Sequence, residues 1–322
     1  MLLKQPLTVN GLMLSNRLVM PPMHASKSTD NTVSPELCGY YRQRAAGGAV
    51  GLVITEFTYI CEQGKAGPTQ LSMASDDVIP QQKALVDAIH GAGSKAFAQI
   101  NHAGSRTKAE WTGQPTVAPS EMDGARELTV PEILEIENQF VAAALRAKAA
   151  GFDGVELHSA HGYLLNQFYS PLTNHRTDAY GGSLENRLRI HLETLQKVRA
   201  AVGPDYPLAV RLGGCDYQPG GSTVEDSVAA AVLLQQAGAD LMDLSGGMCG
   251  YTRRDGGLHK EPGYFRDMSE AVKAAVTVPV LLTGGVTEAG QAEQLLQENA
   301  ADLIGVGRAL FRDGDWAAKA MA

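Results

Sequence analysis

Residues 207–245 read PLAVRLGGCDYQPGGSTVEDSVAAAVLLQQAGADLMDLS: a short apolar run, a longer amphipathic segment and a second short apolar run. The outer runs, PLAVRLG and ADLMDLS, have the length and continuous apolar character of strands buried on both faces. Between them TVEDSVAAAVLLQQAGA has helical period and ends in Ala-Gly, as helix C-termini prefer. Two parallel strands joined by a helix make a βαβ unit, and the same unit recurs in both directions along the chain. NRLVMPPM, GLVITEF, KAFAQIN and FDGVELH precede it as strand candidates; PVLLTGG and ADLIGVG follow it. Helical segments fall between them: SPELCGYYRQRAAGG, DDVIPQQKALVDAIHGAG, TVPEILEIENQFVAAALRAKAAG, SLENRLRIHLETLQKVRAAVG, FRDMSEAVKAAVT, TEAGQAEQLLQENAA and a terminal DWAAKAMA. Thr129, three residues before Glu132, predicts a capping box. Eight strands alternating with eight helices predict an α/β protein, a closed (β/α)8 TIM barrel rather than an open doubly wound sheet. The 322 residues allow about 40 per unit, enough for a single such domain over residues 1–322. In front of it, Asn10-Gly11 between short alternating segments predicts an N-terminal β-hairpin under the bottom of the barrel.

Thirty-five acidic against 27 basic residues leave a net charge of -8 with no Lys/Arg block, which argues against a nucleic-acid partner and for a small molecule. No apolar run is long enough to span a membrane and the N-terminus lacks the apolar stretch of a signal peptide, so a cytoplasmic location is expected. Cys38, Cys61, Cys215 and Cys249 match neither a zinc motif nor a disulfide framework and are expected to be buried, reduced thiols.

The 35 glycines exceed the usual share, and much of the excess stands just after the strands, where the active sites of such barrels lie. The fourth strand runs into His158, His161 and Tyr163, two imidazoles that can donate to a carbonyl oxygen and a phenol that can act as general acid. A metal pair is the competing reading, but no ligand-rich motif completes it around Glu156, so no metal is expected. Arg211 ends an apolar strand and should face an anion or a group that becomes one. Thr283-Gly284-Gly285 and Gly305-Val306-Gly307-Arg308 stand after strands seven and eight, the usual phosphate position of a barrel. Pro21, Pro22, Met23 and His24 end strand one, and Gln99, Asn101 and His102 end strand three, where an amide suits the edge of a heterocycle. A flavin mononucleotide fits all these pieces.

At this point the chain resembles the old yellow enzyme family of FMN-dependent ene-reductases, including the barrel domains of 2,4-dienoyl-CoA reductase and 2-enoate reductase. GFDGVELHSAHGYLLNQFYSPLTNHRTDAYGGSLENRLR (151–189) carries the signature, and NRLVMPPM, AQINHAGS, VRLGG, TGGV and GVGRALFRD fall in family order over nearly the whole chain. The resemblance implies noncovalent FMN, with NADH or NADPH as reductant. It implies that Pro22 and Met23 line the flavin, that Gln99 bonds its pyrimidine edge, and that Arg211 faces the side where negative charge gathers on reduction. Gly285, Gly307 and Arg308 would bind the phosphate, with Gly284, Ser245, Gly246, His24 and Phe57 as further cofactor contacts. His158 and His161 would hold the oxygen of an activated alkene (an enone, a nitroalkene or an enoyl thioester) and Tyr163 would protonate its α-carbon.

Three departures qualify the transfer. His24 stands where Cys or Thr is frequent. Phe57 stands where the family is usually small, so either its side chain turns away or that loop differs. No cysteine cluster of the kind that binds a 4Fe-4S centre in larger relatives occurs in residues 1–322. Other readings are a phosphate-binding barrel acting as lyase or isomerase, which needs a Lys or Glu at a strand end, and a barrel that binds FMN without turnover. The expected partners are the alkene and NAD(P)H, with self-association into a homo-oligomer left open and neither nucleic acid nor membrane. Arg253, Arg254, His259 and Lys260, in the loop after strand six, are candidates for greeting an anionic substrate or the nicotinamide cofactor's phosphates, against the alternative of a solvated basic loop.

Overall fold

The computed structural model describes residues 1–252 and 261–322. Each expected strand forms on its apolar run: β1 Leu18–Met20, β2 Leu52–Ile54, β3 Lys95–Asn101, β4 Gly154–Ser159, β5 Leu208–Cys215, β6 Leu241–Gly246, β7 Val280–Thr283 and β8 Leu303–Gly305. Each pairs in parallel with the next. β8 returns to β1 with Ile304 opposite Leu18, which closes the TIM barrel. Two-residue strands at Thr58–Tyr59 and Leu71–Ser72 extend the sheet beside β3; segments so short leave no periodicity to read.

The helices around the barrel are α1 Pro35–Ala45, α2 Ile79–His90, α3 Val130–Ala149, α4 Leu184–Val202, α5 Val224–Gln236, α6 Arg266–Lys273, α7 Ala289–Gln297, α8 Arg308–Arg312 and α9 Trp316–Met321, with two further short helices, Ala109–Thr112 and Leu164–Tyr169, in the loops after β3 and β4. Their starts follow from local chemistry. Ser34 Oγ accepts from the Leu37 N–H at 3.0 Å ahead of Pro35, and the Thr129 N–H donates to Glu132 Oε2 at 2.8 Å, the back-bond of the expected capping box. The short α8 was not anticipated; it interposes between β8 and the terminal helix and places Arg308 at the mouth of the barrel.

The strands are buried on both faces. Outward residues such as Met20, Val53, Val155, Val210, Met242 and Ile304 pack under the helices. Inward residues Val19, Leu52, Ile54, Phe97, Ala209, Leu241, Leu281 and Leu303 form a second apolar cluster with Val9 and Leu14 of the N-terminal hairpin. That hairpin pairs Leu7–Val9 with Leu12–Leu14 through a turn in which Asn10 (φ 43°) and Gly11 (φ 79°) both take the left-handed conformation that tight hairpins require. It therefore plugs the lower end of the barrel, as expected.

All four cysteines are free, but only Cys215 is buried. Cys38, Cys61 and Cys249 are half-buried because they sit on α1 and in loops, outside the doubly covered strands. Among the described residues no helix is long and apolar enough to cross a membrane. The basic residues Arg253, Arg254, His259 and Lys260 lie outside the described residues.

Candidate active site

A cavity of about 440 Å³ opens at the C-terminal ends of the strands, within the size range of small-molecule sites. Pro22, Met23, His24, Phe57, Gln99, His158, His161, Tyr163, Arg211, Ser245, Gly284, Gly285, Gly307 and Arg308 all line it. Gly246 stands one step behind the wall, where its carbonyl accepts the His161 backbone N–H at 3.3 Å. Asn101 and His102 are buried away from the cavity, and burial pushes the His102 imidazole down to about 3.

The histidine wall is rigid. β4 ends at Ser159, and the chain then turns with His161 at φ 61° and Gly162 at φ 76°. Asn166 Oδ1 accepts the Gly162 N–H at 2.8 Å, and Gln167 Nε2 donates to the Gly162 carbonyl at 2.6 Å. The rings of His158 and His161 meet edge to face with centroids 5.1 Å apart; His158 meets Tyr163 in the same way at 4.9 Å. His158 Nδ1 accepts the Ala160 N–H at 3.3 Å, which places its proton on Nε2. His161 Nε2 is 2.7 Å from Ser245 Oγ. Burial, and after it the nearby Arg211, push both imidazoles well below their ordinary value, so both stand neutral. Burial pushes the Tyr163 phenol up, so it keeps its proton at neutral pH.

Phe57 does not turn away. Its ring packs against Tyr163 at 5.4 Å and against His24 at 5.6 Å, forming the aromatic side of the cavity. Beneath these rings, Gln99 on β3 donates through Nε2 to Glu156 Oε1 at 2.8 Å, and Arg211 Nε lies 3.3 Å from Asp243 Oδ2. Glu156 and Asp243 are fully buried, and neither was assigned a role from the sequence. The signal was present, since each is a charge set in an apolar strand, as Arg211 is. A third carboxyl, Glu56 after β2, accepts the Ala25 N–H at 2.8 Å and thereby ties the loop after β1 to the neighbouring strand. Burial raises it to about 7.

The far end of the cavity is bare backbone. Gly285 has φ 72°, and a Cβ there would overlap the Glu261 carbonyl; one on Gly305 would overlap Thr283 Oγ1. Thr283 Oγ1 is buried with no hydrogen-bond partner among the described residues, although Thr283 lines the cavity. Exposed Arg308 stands at the rim. A polar atom awaiting a partner, a wall that only glycine leaves open and a cation at its edge fit the phosphate end of FMN, with Gln99 and Arg211 placed for the ring. Tyr264 and Tyr251 complete this end, the Tyr264 hydroxyl donating to the Tyr251 carbonyl at 2.8 Å. They were not singled out because they sit on irregular loops with no period to expose them.

The chain is 41% identical over 324 residues to an NADH oxidase of Thermoanaerobacter brockii, covering 97% of this chain and 49% of that one, so it spans about half the length of that relative. It is 41% identical over 315 residues to an NADPH dehydrogenase of Halalkalibacterium halodurans, covering 96% of this chain and 90% of the other. The solved structure of an old yellow enzyme homologue from Zymomonas mobilis superposes with a TM-score of 0.86 at 28% identity, over 98% of this chain and 91% of that one. The model of the NADH:flavin oxidoreductase / NADH oxidase family matches residues 2–322, and the chain belongs to that family.

Proposed function

We propose that this barrel is an FMN-dependent oxidoreductase that uses NADH or NADPH to reduce the C=C bond of activated alkenes, namely enones, nitroalkenes or enoyl thioesters. FMN, when bound, would supply the hydride-transfer chemistry between the nicotinamide and the alkene. The observation that carries the reading is the trio of His158, His161 and Tyr163, two neutral imidazoles and a protonated phenol meeting edge to face over one cavity.

His158, with its proton held on Nε2, donates to the carbonyl or nitro oxygen, and His161 adds a second donor, so charge developing on that oxygen is met by fixed dipoles. Tyr163, beside them, gives its proton to the α-carbon. Gln99 and Arg211 would hold the ring edge of FMN, Pro22 and Met23 would line it, and Gly285, Gly307 and Arg308 would hold its phosphate; all of them line the cavity. His24 and Phe57 close the remaining side, where Phe57 favours flat, conjugated acceptors.

The test is anaerobic. The yellow, FMN-loaded protein is titrated with NADH or NADPH and then with an enone, a nitroalkene and an enoyl thioester. Bleaching by a nicotinamide and recolouring by at least one alkene is the expected sequence. A flavin that no nicotinamide bleaches, or that no alkene recolours, would sink the reading.

A further inference from the structure

The carboxyls beneath the cavity pose a charge problem of their own. Glu156 and Asp243 point into the barrel from β4 and β6, are fully buried, and stand close enough to act on each other's charge. Between them, on β5, stands Arg211, which pairs in register with His158 on one side and Asp243 on the other. With both carboxyls ionised, this buried layer would hold two anions against one cation, directly beneath the site. It would also leave oxygens without donors. Glu156 Oε1 takes the Gln99 amide, but Glu156 Oε2 and both Asp243 oxygens receive no N–H or O–H from any described residue; Arg211 Nε is near Asp243 but not aligned to donate to it. Such groups are costly unless something donates to them.

We propose that Glu156 and Asp243 hold a single proton between them, carried on Glu156 and donated to Asp243, and that the pair acts as a positioning element setting how much of Arg211's charge reaches the flavin site. One proton satisfies Glu156 Oε2 and one Asp243 oxygen at once, and leaves Asp243 as the counter-ion of Arg211. The layer is then neutral overall. The groups facing Glu156 from the packed strands are Gln99 on β3, Arg211 on β5 and Asp243 on β6, with neutral His158 above it on β4. Burial and the neighbouring Asp243 both drive Glu156 toward the protonated form, and Arg211 opposes them less strongly. The neutral acid also fixes Gln99, whose amide nitrogen is committed to Glu156, so its oxygen is the end left for the cavity. This inference rests on the reading that FMN lies over Gln99 and Arg211.

Two measurements test it on the FMN-loaded protein. In infrared difference spectra between protein grown with ¹³C-glutamate and with unlabelled glutamate, a protonated glutamic acid carbonyl band should persist at about pH 9, above the range in which Glu56 and Glu137 ionise. Its absence would overturn the proposal, and this arm needs no variant to fold. The second reads the flavin midpoint potential, as the ratio of affinities for reduced and oxidised FMN. Glu156→Gln, which has the charge of the neutral acid, should leave that ratio within about twofold. Asp243→Asn, which removes the one anion beside Arg211, should raise it by about tenfold or more. Equal shifts in both variants, or none in Asp243→Asn, would overturn the proposal while FMN binding by the parent left the functional reading standing. A parent that binds no FMN would overturn the link to the flavin directly.

Discussion

The two halves of the barrel interior are built by the same strands and differ in almost every chemical respect. In the lower half Phe97, Ala209, Leu241, Leu281 and Leu303 close on the hairpin's Val9 and Leu14. Two residues further along the same strands stand Gln99, Arg211, Asp243, Thr283 and Gly305. One pleat, about 7 Å of strand, therefore separates a sealed apolar core from a charged floor. Residues two apart face the same side, so this change of character is a change of depth within one interior. The lower layer supplies rigidity without chemistry. The upper layer contains buried charges that would be costly anywhere else, and the strands below hold them in place.

That division can be broken from above first. Tyr163→Phe should slow alkene reduction by about 10²- to 10⁴-fold, the usual loss for a general acid, while reduction of the flavin by NAD(P)H proceeds at nearly the parent rate, measured by stopped flow. Equal loss in both halves would make Tyr163 part of the scaffold. From below, Phe97→Ala should cost about 3–5 kcal/mol of stability in denaturant titration, because the ring fills the space left by Gly154, yet ligand binding in the folded fraction should persist. If instead it leaves stability alone and abolishes binding, the two layers are not separable.

The histidine wall is predicted to give a smaller effect. Para-substituted phenols should form a long-wavelength charge-transfer band over oxidised flavin, and His158→Ala or His161→Ala should weaken that binding by about 1.5–3 kcal/mol. His24→Thr should weaken it less, since His24 stands across the cavity with its Nε2 3.3 Å from the Thr69 carbonyl.

The smallest effect concerns Glu56. Its folded value of about 7 lies above the ordinary carboxyl value of 4.5, so the unfolded chain releases its proton first as pH rises. The parent should lose stability between these values, whereas Glu56→Gln, which does not titrate, should not. The variant should match the parent below pH 4.5 and exceed it above pH 7 by about 1–3 kcal/mol in denaturant melts. Parallel pH profiles would show that Glu56 is better solvated than its burial indicates.

Much of the barrel was legible because its signals are local. Continuous apolar runs mark strands buried on both faces, Asn10-Gly11 marks a turn, and Thr129 with Glu132 marks a helix start. Site residues were legible where polar groups crowd a strand end, as at His158, His161 and Tyr163. What escaped reading depends on convergence. Glu156 and Asp243 acquire meaning only when β4, β5 and β6 bring them near Arg211, and Tyr264 only when its loop folds against Gly284. Phe57 shows the limit from the other side: its sequence position did not reveal the direction of its side chain, and packing against His24 and Tyr163 set it.

The most direct measurement is a crystal structure of the protein with FMN and a para-substituted phenol. The account predicts the flavin ring over Gln99 and Arg211, its phosphate at Gly285, Gly307 and Arg308, and the phenol oxygen within hydrogen-bond distance of both His158 and His161. A phenol oxygen bound instead at His24, or a flavin phosphate away from the loops after β7 and β8, would contradict it.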